Sequence, residues 1–63
     1  MFEFDVFTDP SLGNHETADL TEVATASGAT VSTRTFSGSY IQITKARNLA
    51  LMYGWPISLL RTN

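Results

Sequence analysis

The chain has no cysteine, a single histidine and no acidic residue beyond Glu22. Without cysteine there is no disulfide and no thiolate chemistry, and a zinc cage would have to come from one imidazole and carboxylates. The same absence suits a reducing compartment, so the expected location is cytoplasmic. The longest uncharged run, Asn48 to Leu60, contains Gly54 and Pro56 and is too short to cross a bilayer. Glu3 and Asp5 stand where a secretory leader needs positive charge, so no membrane partner is expected. No glycine-rich phosphate loop and no nucleophile elbow is present. His15 and Asp19, four apart, can share a helix face, but two ligands do not specify a metal site. The expectation is a chain without catalytic residues, cofactor or metal.

What is present is strongly ordered along the chain. All six acids lie in the first 22 positions: Glu3, Asp5, Asp9, Glu16, Asp19 and Glu22. All four bases come later: Arg34, Lys45, Arg47 and Arg61. The net charge of −2 therefore joins a −6 segment to a +4 segment. An acidic balance argues against a general nucleic-acid binder. At 63 residues with 43% hydrophobic content, residues 1–63 make one small globular domain. Burial in so short a chain barely offsets its ordering entropy, about 1.5 kcal/mol per residue, so self-association or a partner is expected.

Apolar and charged residues alternate over Phe2-Glu3-Phe4-Asp5-Val6, which predicts a half-buried strand. Asp9-Pro10 ends it, and Ser11 to Asn14 reads as a loop. A first helix follows, capped by Asn14 or by an Asp19–Glu22 pair, with Leu20, Val23, Ala24 and Ser27 on one face and Gly28 as its stop. Thr30 to Phe36 predicts a second strand, Ser37-Gly38-Ser39 a turn, and Tyr40 to Ile43 a third strand. Thr44 then caps a second helix that buries Ala46, Leu49, Ala50 and Tyr53 and stops at Gly54, with Trp55 packing back. Ile57 to Thr62 completes a fourth strand. The predicted fold class is α+β, a ferredoxin-like βαββαβ small sandwich. The alternative is β-α-β-α plus a tail, with Tyr40–Ile43 inside the second helix. In the ferredoxin-like order the first strand lies beside the last, which brings Glu3 and Asp5 near Arg61.

Two candidate sites follow. The sheet face away from the helices would carry Glu3, Asp5, Phe7, Arg34, Phe36, Tyr40, Gln42, Ser58 and Leu60. Of these, Phe7, Arg34, Phe36, Tyr40, Gln42 and Leu60 form the expected partner-binding set, too apolar to stay uncovered. The second candidate is Thr44, Lys45 and Arg47 at the start of the second helix, where free N–H groups, the dipole and two cations would gather an anion. Acids in the first turn of the first helix obey the dipole rule, whereas Lys45 and Arg47 violate it. Gly38-Ser39-Tyr40-Ile41-Gln42-Ile43 resembles the third-strand motif of the RNA-recognition motif, which implies aromatics stacked on bases. The chain departs from that family in Ser37 where a base belongs, in a single third-strand aromatic and in its acidic first strand.

The expected function is a small non-enzymatic protein-binding module, a regulator or inhibitor of the kind phages and mobile elements encode, acting by occupying a partner's surface. A nucleic-acid-binding module using the open sheet face with Lys45 and Arg47 is the second expectation, and a structural homodimer subunit the third.

Overall fold

Phe2-Glu3-Phe4-Asp5 forms the strand that its alternation predicts. In the computed structural model, which describes residues 1–7 and 14–63 and the side chains of 1–7 and 20–63, Phe4 and Val6 are buried. The elements are β1 (Phe2–Asp5), α1 (Asn14–Ser27), β2 (Thr30–Ser32), β3 (Thr35–Gly38), α2 (Tyr40–Met52) and β4 (Arg61–Thr62). Among the described residues this is a small α+β fold with two helices and an antiparallel four-stranded sheet in the order β2-β3-β1-β4. Asp9-Pro10, and the side chains of Asn14, His15, Glu16 and Asp19, lie outside the described residues.

In α1, Leu20, Val23 and Ser27 are buried and Ala24 half-buried, the face expected from their spacing. Ser27 can be buried because its hydroxyl donates to the Val23 carbonyl at 2.7 Å and accepts from the Ala29 N–H at 3.2 Å. Gly28 ends the helix with φ +80°, its N–H bonded to the Ala24 carbonyl at 2.9 Å.

The next segment corrects the predicted boundaries. Thr30 to Phe36 is not one strand. It turns at Thr33-Arg34, with Thr33 at φ 57°, and folds into a hairpin that pairs Ser32 with Thr35 and Val31 with Phe36. Val31 and Phe36 are five apart, an odd separation that would put them on opposite faces of a continuous strand. A two-residue turn makes them cross-strand partners on the same face. Phe36 therefore points into the core rather than away from it.

Tyr40 to Ile43 is also not a strand but the first turn of α2. Ser39, not Thr44, is the N-cap. Its hydroxyl accepts from the Gln42 N–H at 3.3 Å, and its own N–H donates to Gln42 Oε1 at 3.0 Å. This reciprocal pair satisfies two N–H groups that a helix start otherwise leaves bare. Gly38 makes room for it, since a Cβ there would lie 2.6 Å from Gln42 Oε1. The six-element order survives because the hairpin supplies two strands before the helix. Tyr40–Ile43 lies inside α2, as the alternative order has it, but the segment after α2 supplies β4 rather than a mere tail.

The end of α2 follows its sequence closely. Gly54 at φ +78° donates to the Leu51 carbonyl at 3.0 Å, and Trp55 donates to that of Ala50 at 3.1 Å, the two bonds of a Schellman motif. Trp55 is half-buried against the core and its ring stacks on exposed Tyr53 at 5.1 Å. Tyr53, expected on the buried face, lies outside it. The helix buries Ile43, Ala46 and Ala50 instead.

The predicted strand Ile57–Thr62 is interrupted. Val6 bridges Ile57, yet Glu3 pairs with Arg61, so one more residue lies between the pairings on the C-terminal side than on β1. That is a bulge. Ser58 repairs the ladder, its N–H donating to the Asp5 carbonyl at 2.9 Å and its hydroxyl accepting from the Asp5 N–H at 2.8 Å.

Helix and strand positions make two stability predictions. Ser39→Ala should lower the unfolding free energy by about 1 kcal/mol, as N-cap losses do, while Thr44→Ala changes it by less than half of that. Chemical denaturation of both variants checks the cap assignment. Phe36→Ala should cost about 3–5 kcal/mol, the range for a buried aromatic; an exposed Phe36 would cost far less.

Candidate functional site

The sheet face away from the core is polar. Glu3 pairs with Ser37 on one side and Arg61 on the other, and Asp5 pairs with Thr35. Arg61 spans both carboxylates, with Nε 2.8 Å from Glu3 Oε1 and Nη2 2.9 Å from Asp5 Oδ1. The Thr35 hydroxyl donates to Asp5 Oδ1 at 2.7 Å, and Asn63 Nδ2 donates to Glu3 Oε2 at 2.9 Å. The meeting of Glu3 and Asp5 with Arg61 is the one expected from strand order.

The six residues expected on that face are not gathered there. Phe36 is fully buried and stacks on Phe4, centroids 5.3 Å apart. Tyr40 opens α2 and meets Phe2 edge-on at 5.3 Å. Gln42 is spent on the cap. Leu60 is half-buried against the core, and Arg34 sits in the hairpin turn, its carbonyl accepting from the Val6 N–H. Phe7 is exposed beyond the end of β1. The dispersal comes from the turn at Thr33-Arg34 and the helical Tyr40–Ile43, which change the facing that an unbroken second and a third strand would impose.

The expected anion site at a helix start also needs correction. Thr44, Lys45 and Arg47 lie in the second and third turns of α2, away from the free N–H end at Tyr40. The Thr44 hydroxyl bonds back to the Tyr40 and Ile41 carbonyls, each at 3.0 Å. Mid-helix cations break no dipole rule. Lys45 and Arg47 are exposed, and neither forms an ion pair among the described residues.

What the structure does assemble is a groove of about 600 Å³ between α2 and the bulged C-terminal segment. One wall is a helical stripe, Tyr40, Thr44, Arg47 and Leu51, at i, i+4, i+7 and i+11. The other is Ile57, Ser58, Leu59 and Leu60. The bulge throws Leu59 outward, to 90% exposure. One stripe further round α2, Ile41 and Met52 are exposed with Lys45 and Asn48 between them, Met52 at 80%. The groove lining contains hydroxyls, one guanidinium and aliphatic side chains, with no carboxylate, imidazole or thiol. That set can bind by apolar contact and one directed charge, and it lacks a group that takes up a proton near neutral pH. Among the described residues, no cluster of three or more His, Cys, Asp or Glu is placed to hold a metal, and no helix is long and apolar enough to cross a membrane.

The chain matches no protein-family model, no curated protein and no solved structure.

Nothing in the sequence pattern announced the groove, because it depends on Leu59 being turned out by a bulge. The Arg61 cluster does make a pH prediction. Hydrogen bonds from Asn63 and then Arg61 hold the Glu3 carboxyl below its ordinary value, and bonds from Arg61 and then Thr35 do the same for Asp5. Groups depressed on folding contribute stability above the ordinary carboxylate range and lose it as pH falls through their lowered values. Thermal unfolding should therefore hold a plateau near neutrality and decline on acidification. Arg61→Met should lower the plateau and flatten the acid limb; an unchanged slope in that variant would show the cluster to be irrelevant.

Proposed function

We propose that this chain is a small non-enzymatic protein-binding module of ferredoxin-like order that acts by occupying a partner's surface. The element sequence strand-helix-strand-strand-helix-strand and the strand order β2-β3-β1-β4 support the fold reading. The functional reading is carried by one observation: a groove of mixed polarity brings Leu51, Ile57, Leu59 and Leu60 together with Tyr40, Thr44, Arg47 and Ser58, and Leu51 and Leu59 there are exposed. Among the described residues, nine buried hydrophobic side chains make the core. Tyr40, Ile41, Leu51, Met52 and Leu59 remain exposed to water. Covering apolar area stabilises by about 25 cal/mol per Å², so such a face favours an occupant. An accessory or inhibitory role needs nothing more than that surface.

The test compares the native chain with a Leu51→Glu, Leu59→Glu double variant as bait in an extract of the source cell. Both sites are exposed, so the variant should unfold at nearly the native temperature yet lose the captured protein. A variant that retains the same partner removes the groove from the interface. Captured nucleic acid, released over several decades of affinity as salt rises, would replace a protein partner with a polyanion.

A further inference from the structure

The groove beside α2 is lopsided in charge. No acidic residue occurs from Val23 to Asn63, so neither α2 nor the segment 53–60 carries a carboxylate. Arg61 is held on the polar sheet face by Glu3 and Asp5. Arg47 lines the groove, and its guanidinium makes neither an ion pair nor a hydrogen bond among the described residues. Leu51 lies one turn beyond it on the same wall, and Leu59 and Leu60 stand on the other. A guanidinium beside aliphatic walls offers a bidentate carboxylate contact that sets register, with apolar burial supplying the rest.

Three occupants compete, and charge separates them. A second copy docked groove to groove about a two-fold axis would set Arg47 near its own counterpart, with no acid on α2 or on residues 53–60 to relieve it. Nucleic acid would meet the cations and leave the aliphatic walls uncovered. A peptide with an acid beside apolar side chains satisfies both features. Resting on the protein-binding reading above, we infer that the groove takes an acidic-apolar peptide segment of a partner protein, with a carboxylate on Arg47 and aliphatic side chains between Leu51 and Leu59.

A random peptide library displayed against the whole chain tests this. Enriched peptides should carry Asp or Glu within a few positions of Leu, Ile, Phe or Met. One such peptide, synthesised and titrated by fluorescence anisotropy, should bind Arg47→Ala about tenfold more weakly, as expected for losing one charge-assisted contact. Its Asp→Asn form should lose a similar factor on the native chain and nothing more on Arg47→Ala, the coupling of a direct pair. Lys45→Ala, outside the groove, should change binding little. Apolar peptides that ignore both acid content and Arg47 would overturn the inference while leaving a binding groove; a selection that enriches nothing overturns both. Sedimentation of the chain alone, and cosedimentation with phosphatidylglycerol vesicles, cover the other occupants. A dimer or a vesicle complex abolished by Leu59→Asp would place a second copy or lipid in the groove and overturn the peptide.

Discussion

Phe4 and Phe36 face each other across the central strand pair, fully buried and stacked at 5.3 Å. Much of the remaining arrangement follows from that contact. With Phe4 inward, Glu3 and Asp5 must point outward, because strand side chains alternate. With Phe36 inward, Thr35 and Ser37 join them on the polar face. Arg61 then arrives on the neighbouring strand, opposite Glu3, where its guanidinium touches both carboxylates. Turning Phe36 outward would bury a carboxylate or force β3 out of register, and either costs more than an exposed ion pair returns.

The stack is secured by a turn with an unusual composition. A two-residue hairpin normally uses Asn-Gly or a similar pair, because left-handed backbone is cheap only there. Here Thr33 takes φ 57°, a conformation β-branched residues adopt at a cost of order 1 kcal/mol or more. The residues around it are Thr, Ser, Val and Arg, all at home in a strand. Composition therefore favours an unbroken strand over Thr30 to Phe36, which would put Phe36 on the outer face. The strain is local, and the burial of Phe36 and Val31 against the sheet offsets it.

Other parts were legible because the chemistry is local. Gly28 and Gly54 end their helices as expected, for a glycine at a helix end needs no knowledge of the rest of the fold. The alternation of β1 was legible since charged residues at Glu3 and Asp5 leave one facing. The start of α2 carried two competing signals. Four alternating residues, Tyr40 to Ile43, look like a strand, while Ser39 and Gln42 have capping-box spacing. The box prevails because helix geometry closes two hydrogen bonds at Ser39 and buries Ile43, Ala46 and Ala50 in register. The groove was beyond reach. It depends on an extra residue between the Ile57 bridge and the Arg61 pairing, and a bulge is a property of ladder register rather than of composition.

The unequal fate of the cations is the last consequence of this packing. Arg61 finds Glu3 and Asp5 because β4 lies beside β1, and that cluster spends the described acids of the sheet. Lys45 and Arg47 ride on a helix whose inner face is filled by Ile43, Ala46 and Ala50, so they can only face outward. Their helix has no acid of its own, and the segment across the groove has none either. A chain that merely needed solubility could distribute such charges anywhere on the surface. Here the guanidinium of Arg47, unpaired among the described residues, stands about one turn from Leu51 in a groove that Leu59 also lines, so charge and apolar surface meet there. Solvation satisfies the first and penalises the second. A bound segment that carries both an acid and an aliphatic side chain is favoured by both at once.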